Sequence, residues 1–504
     1  MSRIKSSSKN VFFGVFQQIT TILLTFITRT VFIRYLEIEL LGINSLFSNI
    51  LTVFSIADLG FGTAIMYSMY QPMAEKNEKK ISALMNFYKK IYTRVAIIVF
   101  IIGISLLPFL KYLIKENNIE NISFYYLLFL LDSVVSYLYA YKVNIINADQ
   151  KTYIIKRFTL FFHILKAIFQ CLTIIIFRNF IVYILIQILT TISINIYGAY
   201  IAKKMYPFID NKEDISDDEK KNILKNVKSL FIYKVGGVIL NNTDNILIST
   251  ILGVAIVGYY TNYFTIVNSI TSITTIIFST ITYSVGNMIA TDLKEKQYSI
   301  FKKLEFMSTI IFSFSTICLY ILLDDLITCW LGNTYLIDKF TVISVCINFY
   351  IIGILNSTVM FRDTTGLFND LKYLMIVTAM LNIILSIVLG KLIGLCGIIV
   401  ATAISRIVTN FWYEPYMLHK KYFNKSSKEY FKLRFDNIFC IIFISIIISM
   451  LFSKFIVNNW IDLIFKTIIV VIITAGMLFI KYRNNDECKY YIDILKKLKI
   501  KYIK

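Results

Sequence analysis

The feature that most constrains this fold is a succession of apolar stretches, each long enough to cross a lipid bilayer, separated by short polar segments. A membrane-spanning helix needs about 20 mostly apolar residues, and a chain that is 57% hydrophobic and 16% charged supplies about fourteen. Each stretch is continuously apolar rather than alternating, which predicts helices and not barrel strands. We therefore predict an all-α polytopic membrane protein with spans at 10–34, 42–70, 95–114, 123–147, 158–177, 181–202, 229–250, 257–289, 304–323, 340–361, 373–390, 395–418, 437–456 and 462–480.

The distribution of Lys and Arg predicts the orientation, because cationic loops resist translocation. With the amino terminus in the cytoplasm, most of the 52 basic residues fall on that side, including those of 76–94, 420–434 and 481–504. Both termini are then cytoplasmic. The net charge of +21 is accounted for by this topology and by anionic lipid of the inner leaflet, so nucleic-acid binding is not expected.

Cysteine and histidine usage argues against metal and triad chemistry. The seven cysteines, from Cys171 to Cys488, never fall at metal or redox spacing, and His163 and His419 are the only histidines. We expect no metal site, no cofactor and no catalytic residues.

A faint internal repeat predicts two related lobes. A shift of 216 positions places Arg29 against Asn245 and Gly42 against Gly258. The predicted organisation is an N-terminal lobe (1–202, helices 1–6), a charged cytoplasmic linker (203–228), a C-terminal lobe (229–436, helices 7–12), two further helices (437–480) and a basic cytoplasmic tail (481–504). The tail suits either an amphipathic helix on the inner leaflet or a solvated segment.

Ionisable residues inside the apolar spans are candidate site residues, because a charge at bilayer depth usually faces a partner or a wet cavity. The first predicted helix aligns Gln18 and Arg29 on one face, and the seventh aligns Lys234, Asn241 and Asn245. Such polar stripes also occur where helices merely pack together. The cationic candidates are Arg29, Lys142, Lys166, Lys234 and Arg406, and the acidic ones are Asp58, Asp132, Asp244 and Glu414.

Six short segments carry a resemblance to a known family: Leu41–Phe47, Ile56–Gly62, Asn241–Ser249, Gly258–Tyr260, Phe361–Asp363 and Gly366–Phe368. With them the chain resembles the Wzx-type polysaccharide flippases of the multidrug, oligosaccharidyl-lipid and polysaccharide exporter superfamily. The resemblance implies a protein of the bacterial inner membrane that moves undecaprenyl-diphosphate-linked oligosaccharide from the inner to the outer leaflet by alternating access. The product would be O antigen, capsule or another surface polysaccharide.

The resemblance further implies a central cavity lined by helices 1, 2, 7 and 8. A sugar diphosphate is anionic and rich in hydroxyls, so cations and amides suit it. The predicted substrate-binding residues are Gln18, Arg29, Lys142, Lys166, Lys234, Asn241, Asn245 and Arg406. Asp58 and Asp244 are candidates for ion coupling by H+ or Na+, or for pairing that holds one conformational state. Membrane lipids and a polysaccharide polymerase are the other expected partners.

Three alternatives remain open at this point. A cation-coupled drug exporter would favour an acidic cavity, which the excess of cations in the helices opposes. A lipid II flippase belongs to the same superfamily. A membrane polymerase or glycosyltransferase needs a sizeable outer domain, whereas the longest predicted outer loop, from Asp324 to Lys339, offers little room, so we expect no enzyme.

Overall fold

The computed structural model describes residues 3–54, 68–73, 75–115, 119–149, 151–367, 370–371 and 373–503. Every regular element in these ranges is a helix. In the first half of the chain they are α1 (Arg3–Tyr35), α2 (Ile38–Phe54), α3 (Glu78–Leu106), α4 (Leu110–Leu113), α5 (Ile122–Leu138), α6 (Ala140–Ala148), α7 (Thr152–Phe177), α8 (Phe180–Met205) and α9 (Asp217–Ile251). In the second half they are α10 (Val254–Thr291), α11 (Lys294–Leu331), α12 (Lys339–Ile354), α13 (Asn356–Thr365), α14 (Leu374–Val408), α15 (Asn410–Met417), α16 (Lys428–Leu451), α17 (Trp460–Tyr482) and α18 (Asp486–Ile503).

Helix ends follow ordinary capping chemistry. The first backbone N–H groups of a helix have no partner within it, and a polar side chain can accept from them. Asn77, Asn179, Ser216, Asp338 and Asn459 do so at the starts of α3, α8, α9, α12 and α17. Prolines are rare, four in the whole chain, so long helices can persist. Pro108 and Pro207 each lie in a short helical turn just after a long helix ends.

The prediction of an all-α polytopic membrane protein is confirmed, but the count of fourteen spans is not. Within the described ranges, ten helices are long and apolar enough to cross a membrane, or eleven if α5 and α6, bent by 46°, form one span. The predicted spans 373–390 and 395–418 both fall within the range of α14, but the backbone is non-helical at Ile393 and Gly394, so two helices meet there, between the two predicted spans. Gly394 has φ +66°, which glycine adopts without steric cost. Helix α2 is short, with 17 residues.

The chain forms two compact units. Unit 1 comprises Met1–Thr261 and Met375–Gly394, and unit 2 comprises Asn262–Leu374 and Leu395–Lys504. The predicted lobe boundaries at 202, 228 and 436 stay predictions.

Aromatic rings hold the core of unit 1 together. Phe47 of α2 packs edge-on against Tyr126 of α5, with ring centroids 5.3 Å apart, and against Phe129 at 5.7 Å. Phe32 of α1 packs in the same way on Phe180 of α8 at 5.8 Å. These contacts bury one face at the end of α1, while residues such as Leu23 remain exposed on its apolar surface. The described residues of α1 are thereby anchored at their carboxyl end.

The predicted charged linker, residues 203–228, is packed against α3 of unit 1. Ser82 of α3 donates to the carbonyl of Phe208 at 2.6 Å, and Lys90 forms an ion pair with Asp214 at 3.0 Å. Residues from Asp217 onward already belong to α9. At the other end of the chain, the basic tail forms a helix, α18.

Candidate functional site

Arg29 reaches from α1 to the start of α10. Its Nη2 donates to Oγ1 of Thr261 at 2.7 Å, and that hydroxyl in turn donates to the carbonyl of Gly258 at 3.1 Å. Ser45 of α2 lies at the same place, with its hydroxyl 3.4 Å from that of Thr261. A predicted substrate-binding cation is therefore fixed where α1 and α2 meet the first two turns of α10, within unit 1.

The same place shows reciprocal contact between repeat positions. A Cβ added to Gly42 would lie 2.0 Å from the carbonyl oxygen of Val254, and one added to Gly258 would lie 2.6 Å from that of Ile38. Val254 and Gly258 are the counterparts of Ile38 and Gly42 under the 216-residue shift, and Ser45 contacts its own counterpart, Thr261. Reciprocal contacts of this kind define a local two-fold relation. The backbones approach closely because neither glycine has a side chain.

Lys166 belongs to a second polar cluster of unit 1. Its Nζ donates to Oε1 of Gln187 at 3.2 Å, and Nε2 of Gln187 donates to Oδ2 of Asp132 at 2.8 Å. The amide thus bridges an ammonium on α7 to a carboxylate on α5. The other carboxylate oxygen of Asp132, Oδ1, is buried and has no hydrogen-bond partner among the described residues.

Lys142 lies away from both clusters. It forms an ion pair with Asp210 at 2.8 Å, and Lys203 pairs with the same carboxylate at 3.2 Å. The hydrogen bond from Lys142 holds the pKa of Asp210 below its ordinary value. In this conformation Lys142 therefore holds the linker against the start of α6.

The remaining predicted residues of unit 1 occupy varied positions. Asn245 is buried on α9, whereas Asn241 is exposed one turn earlier and Lys234 is partly buried. Asp244 interacts electrostatically with Tyr260 of α10. Gln18 is partly buried on α1. Asp58 lies outside the described residues.

Unit 2 holds Arg406, buried on α14. It also holds two buried arginines that were not among the predicted site residues. Arg362 pairs with Glu414 at 2.8 Å, and Arg434 pairs with Glu305. Arg434 follows a run of charged residues and was assigned to a polar inner segment, but α16 begins at Lys428 and buries it. The sequence from Lys428 to Arg434 does not indicate that Arg434 is buried, because its partner, Glu305, lies on a distant helix.

Comparison with known proteins decides the family. Residues 7–283, more than half of the chain, match the profile of a family described as polysaccharide biosynthesis protein. The chain belongs to this family. The resemblance to Wzx-type flippases drawn from the sequence is confirmed.

Solved structures share the fold of this family member. Lipid II flippase MurJ in an inward closed conformation superposes with a TM-score of 0.68 at 16% identity, covering 94% of this chain and 99% of that one. An inward-facing multidrug resistance MATE transporter gives 0.61 at 12%, covering 80% and 97%. The Vibrio cholerae MATE transporter VcmN gives 0.57 at 14%, covering 82% and 96%. A comparison with curated proteins finds no match.

Proposed function

We propose that this protein is a flippase that moves a polyprenyl-diphosphate-linked oligosaccharide from the inner to the outer leaflet of the bacterial cytoplasmic membrane, for surface polysaccharide such as O antigen or capsule. Both termini lie in the cytoplasm. The protein transports its substrate and does not modify it. Family membership and the shared transporter fold support this proposal.

The position of Arg29 carries the proposal. Arg29 lies on a helix that is apolar enough to span the membrane. Inserting a charged side chain into the bilayer costs free energy unless it faces a partner or a water-filled cavity, so an arginine there is a candidate functional residue. Its contact with Thr261 holds it where repeat-related helices meet. A planar guanidinium donates two parallel hydrogen bonds to a phosphate, so it suits the diphosphate of such a substrate. Lys166, Lys234 and Arg406 are the other cations that we assign to substrate binding, with Asn241, Asn245 and Gln18 contacting sugar hydroxyls.

Two further roles belong to the same proposal. Asp58 and Asp244 are the groups we assign to coupling with H+ or Na+. Lys142 would bind substrate only in a conformation in which the linker has released it. A polysaccharide polymerase would accept the product on the outer side.

Lipid II is the second candidate substrate, because MurJ superposes over 94% of this chain. Both substrates present a polyprenyl diphosphate, so Arg29 would serve either. They differ in the sugar, and lipid II carries a peptide.

The test is a flipping assay in proteoliposomes with fluorescent lipid-linked oligosaccharide or lipid II. We expect the oligosaccharide to move and Arg29→Ala to slow it about tenfold or more, since a hydrogen bond to a charged group contributes about 1.5–3 kcal/mol. Arg29→Lys should retain part of the rate, because the point charge remains. Arg34→Ala, at an exposed position on the same helix, is the matched control and should flip normally.

If lipid II is flipped faster than the lipid-linked oligosaccharide, lipid II replaces the oligosaccharide as the proposed substrate. An unchanged rate in Arg29→Ala would remove the arginine from the mechanism, and cleavage or extension of the sugar chain by the purified protein would refute transport altogether.

A further inference from the structure

Two lysines from separate helices of unit 1 converge on one carboxylate. Lys142 lies in the first turn of α6, and Lys203 lies in the last turn of α8. The Nζ atom of Lys142 is 2.8 Å from Oδ1 of Asp210, and the Nζ atom of Lys203 is 3.2 Å from Oδ2. Each ammonium group therefore binds a different oxygen of the same carboxylate. A phosphate group also presents adjacent anionic oxygens, so the two lysines are placed to bind one.

The carboxylate belongs to the linker and not to the helices that carry the lysines. Asp210 ends the short helical turn Pro207–Asp210. Other contacts hold the linker on both sides of it, because Ile209 is 2% exposed and Asn86 of α3 donates to the carbonyl of Asn211 at 2.6 Å. The side chain of Asp210 can therefore leave the lysines while the linker backbone stays in place.

The two lysines favour a negative charge between them. The hydrogen bond from Lys142 holds the pKa of Asp210 below its ordinary value. A second carboxylate near the ends of α6 and α8, that of Asp149, is already occupied: it pairs with Lys151 at 2.6 Å and accepts from the hydroxyl of Tyr206 at 2.5 Å. If Asp210 withdraws, two ammonium groups are left to bind another anion.

The site is open to solvent on one side. The side chain of Lys142 is 13% exposed, that of Asp210 is 40% exposed and that of Lys203 is 64% exposed. Because the ion pairs are not enclosed, an anion from outside can reach the ammonium groups once the carboxylate moves. In the proposed orientation this opening lies on the cytoplasmic side, where a lipid-linked substrate would enter.

We propose that Lys142 and Lys203 form an entry site for the diphosphate of the substrate, and that Asp210 occupies this site in the absence of substrate. The identity of the anion rests on the function proposed above. Lys203 is thereby a further substrate ligand, and Asp210 is an internal competitor that must withdraw before the substrate binds. A phospholipid headgroup shares the phosphate chemistry but carries one phosphate instead of two, so it should bind more weakly.

The test is a binding titration of purified full-length protein in detergent, with farnesyl diphosphate as the probe and phosphatidylglycerol in a parallel titration. We expect Asp210→Ala to bind farnesyl diphosphate about three- to tenfold more tightly than the wild type, because the competing ion pairs are partly exposed and therefore weak. Asp210→Asn, which keeps the shape and removes the charge, should shift the affinity in the same direction. Asp214→Ala is the matched control: it releases Lys90 from an ion pair of the same linker and should bind as the wild type does.

The lysines have their own variants. In the Asp210→Ala background, Lys142→Gln and Lys203→Gln should each remove the gain in affinity. Lys204→Gln, at the next and likewise exposed position of α8, should retain it.

Unchanged affinity in both Asp210 variants, or a gain that survives the loss of either lysine, would overturn the proposal. An equal gain for phosphatidylglycerol would overturn the assignment to a diphosphate. Flipping is measured separately, so a protein that shows the gain in affinity but moves no lipid would contradict the transport proposal and not the entry site.

Discussion

Buried charges in unit 2 hold each other in place. Arg362 and Glu414 are 3% and 2% exposed, and Asn410 donates to the other carboxylate oxygen of Glu414 at 2.7 Å. Removing one member of such a pair leaves a charge buried without compensation, whereas replacing both members removes that penalty.

We expect Arg362→Met alone to destabilise the protein by about 3–5 kcal/mol, and Glu414→Met alone to do the same. The double variant should be clearly more stable than either single variant, because no buried charge remains unpaired; Asp363, which Arg362 Nε also contacts at 2.9 Å, is half exposed and can be solvated. Thermal unfolding of detergent-solubilised protein measures this. A double variant whose loss equals the sum of the single losses would show that the pair is not coupled.

The contact between α2 and α10 depends on two glycines. In Gly42→Ala the new methyl group would meet the carbonyl of Val254, which is backbone and cannot rotate away. Overpacking of this kind costs about 1–3 kcal/mol or more. We expect a lower unfolding temperature and weaker transport in Gly42→Ala.

Gly476→Ala is the matched control, because no atom lies within 4 Å of the added methyl group. It should be neutral, or more stable by up to about 1 kcal/mol, since alanine favours the helix. Equal behaviour of the two variants would mean that the helices can separate without loss.

The buried arginines and the contact glycines show which features of the fold can be predicted from the sequence. The apolar runs predicted the helical membrane fold because their length matches a bilayer. The alignment of Gly42 with Gly258 can be read from the sequence because a repeat leaves a constant shift, whereas their contacts with Val254 and Ile38 come from the structure. The burial of Arg434 cannot be predicted from the sequence, because it depends on contacts with Glu305 and Ile354 on distant helices. Lys142 was assigned to the substrate from its place in an apolar run, but the linker carboxylate that it holds comes from another segment.

At the scale of the whole molecule, alternating access requires that a contact closed in one state open in the other. The hydroxyls of Ser45 and Thr261 lie 3.4 Å apart, and we propose that this contact opens when the flippase changes state. We expect cysteines at these two positions, in a background lacking the seven native cysteines, to form a cross-link on oxidation. The cross-link should stop transport, and reduction should restore it.

Each single-cysteine variant serves as the control, because oxidation should leave its own transport rate unchanged. Transport at the normal rate through a fully cross-linked protein would show that this contact stays closed throughout the cycle.

The reciprocal contacts at Gly42 and Gly258 also bear on the evolutionary origin of the fold. Ile38 meets Gly258 as Val254 meets Gly42, which is how two identical chains meet across a dyad. A protein of half this length could have formed the same junction with a second copy of itself, and fusion of the duplicated gene would preserve it. The two halves can then diverge in sequence while Gly42 and Gly258 stay small enough for each segment to fit the backbone of the other.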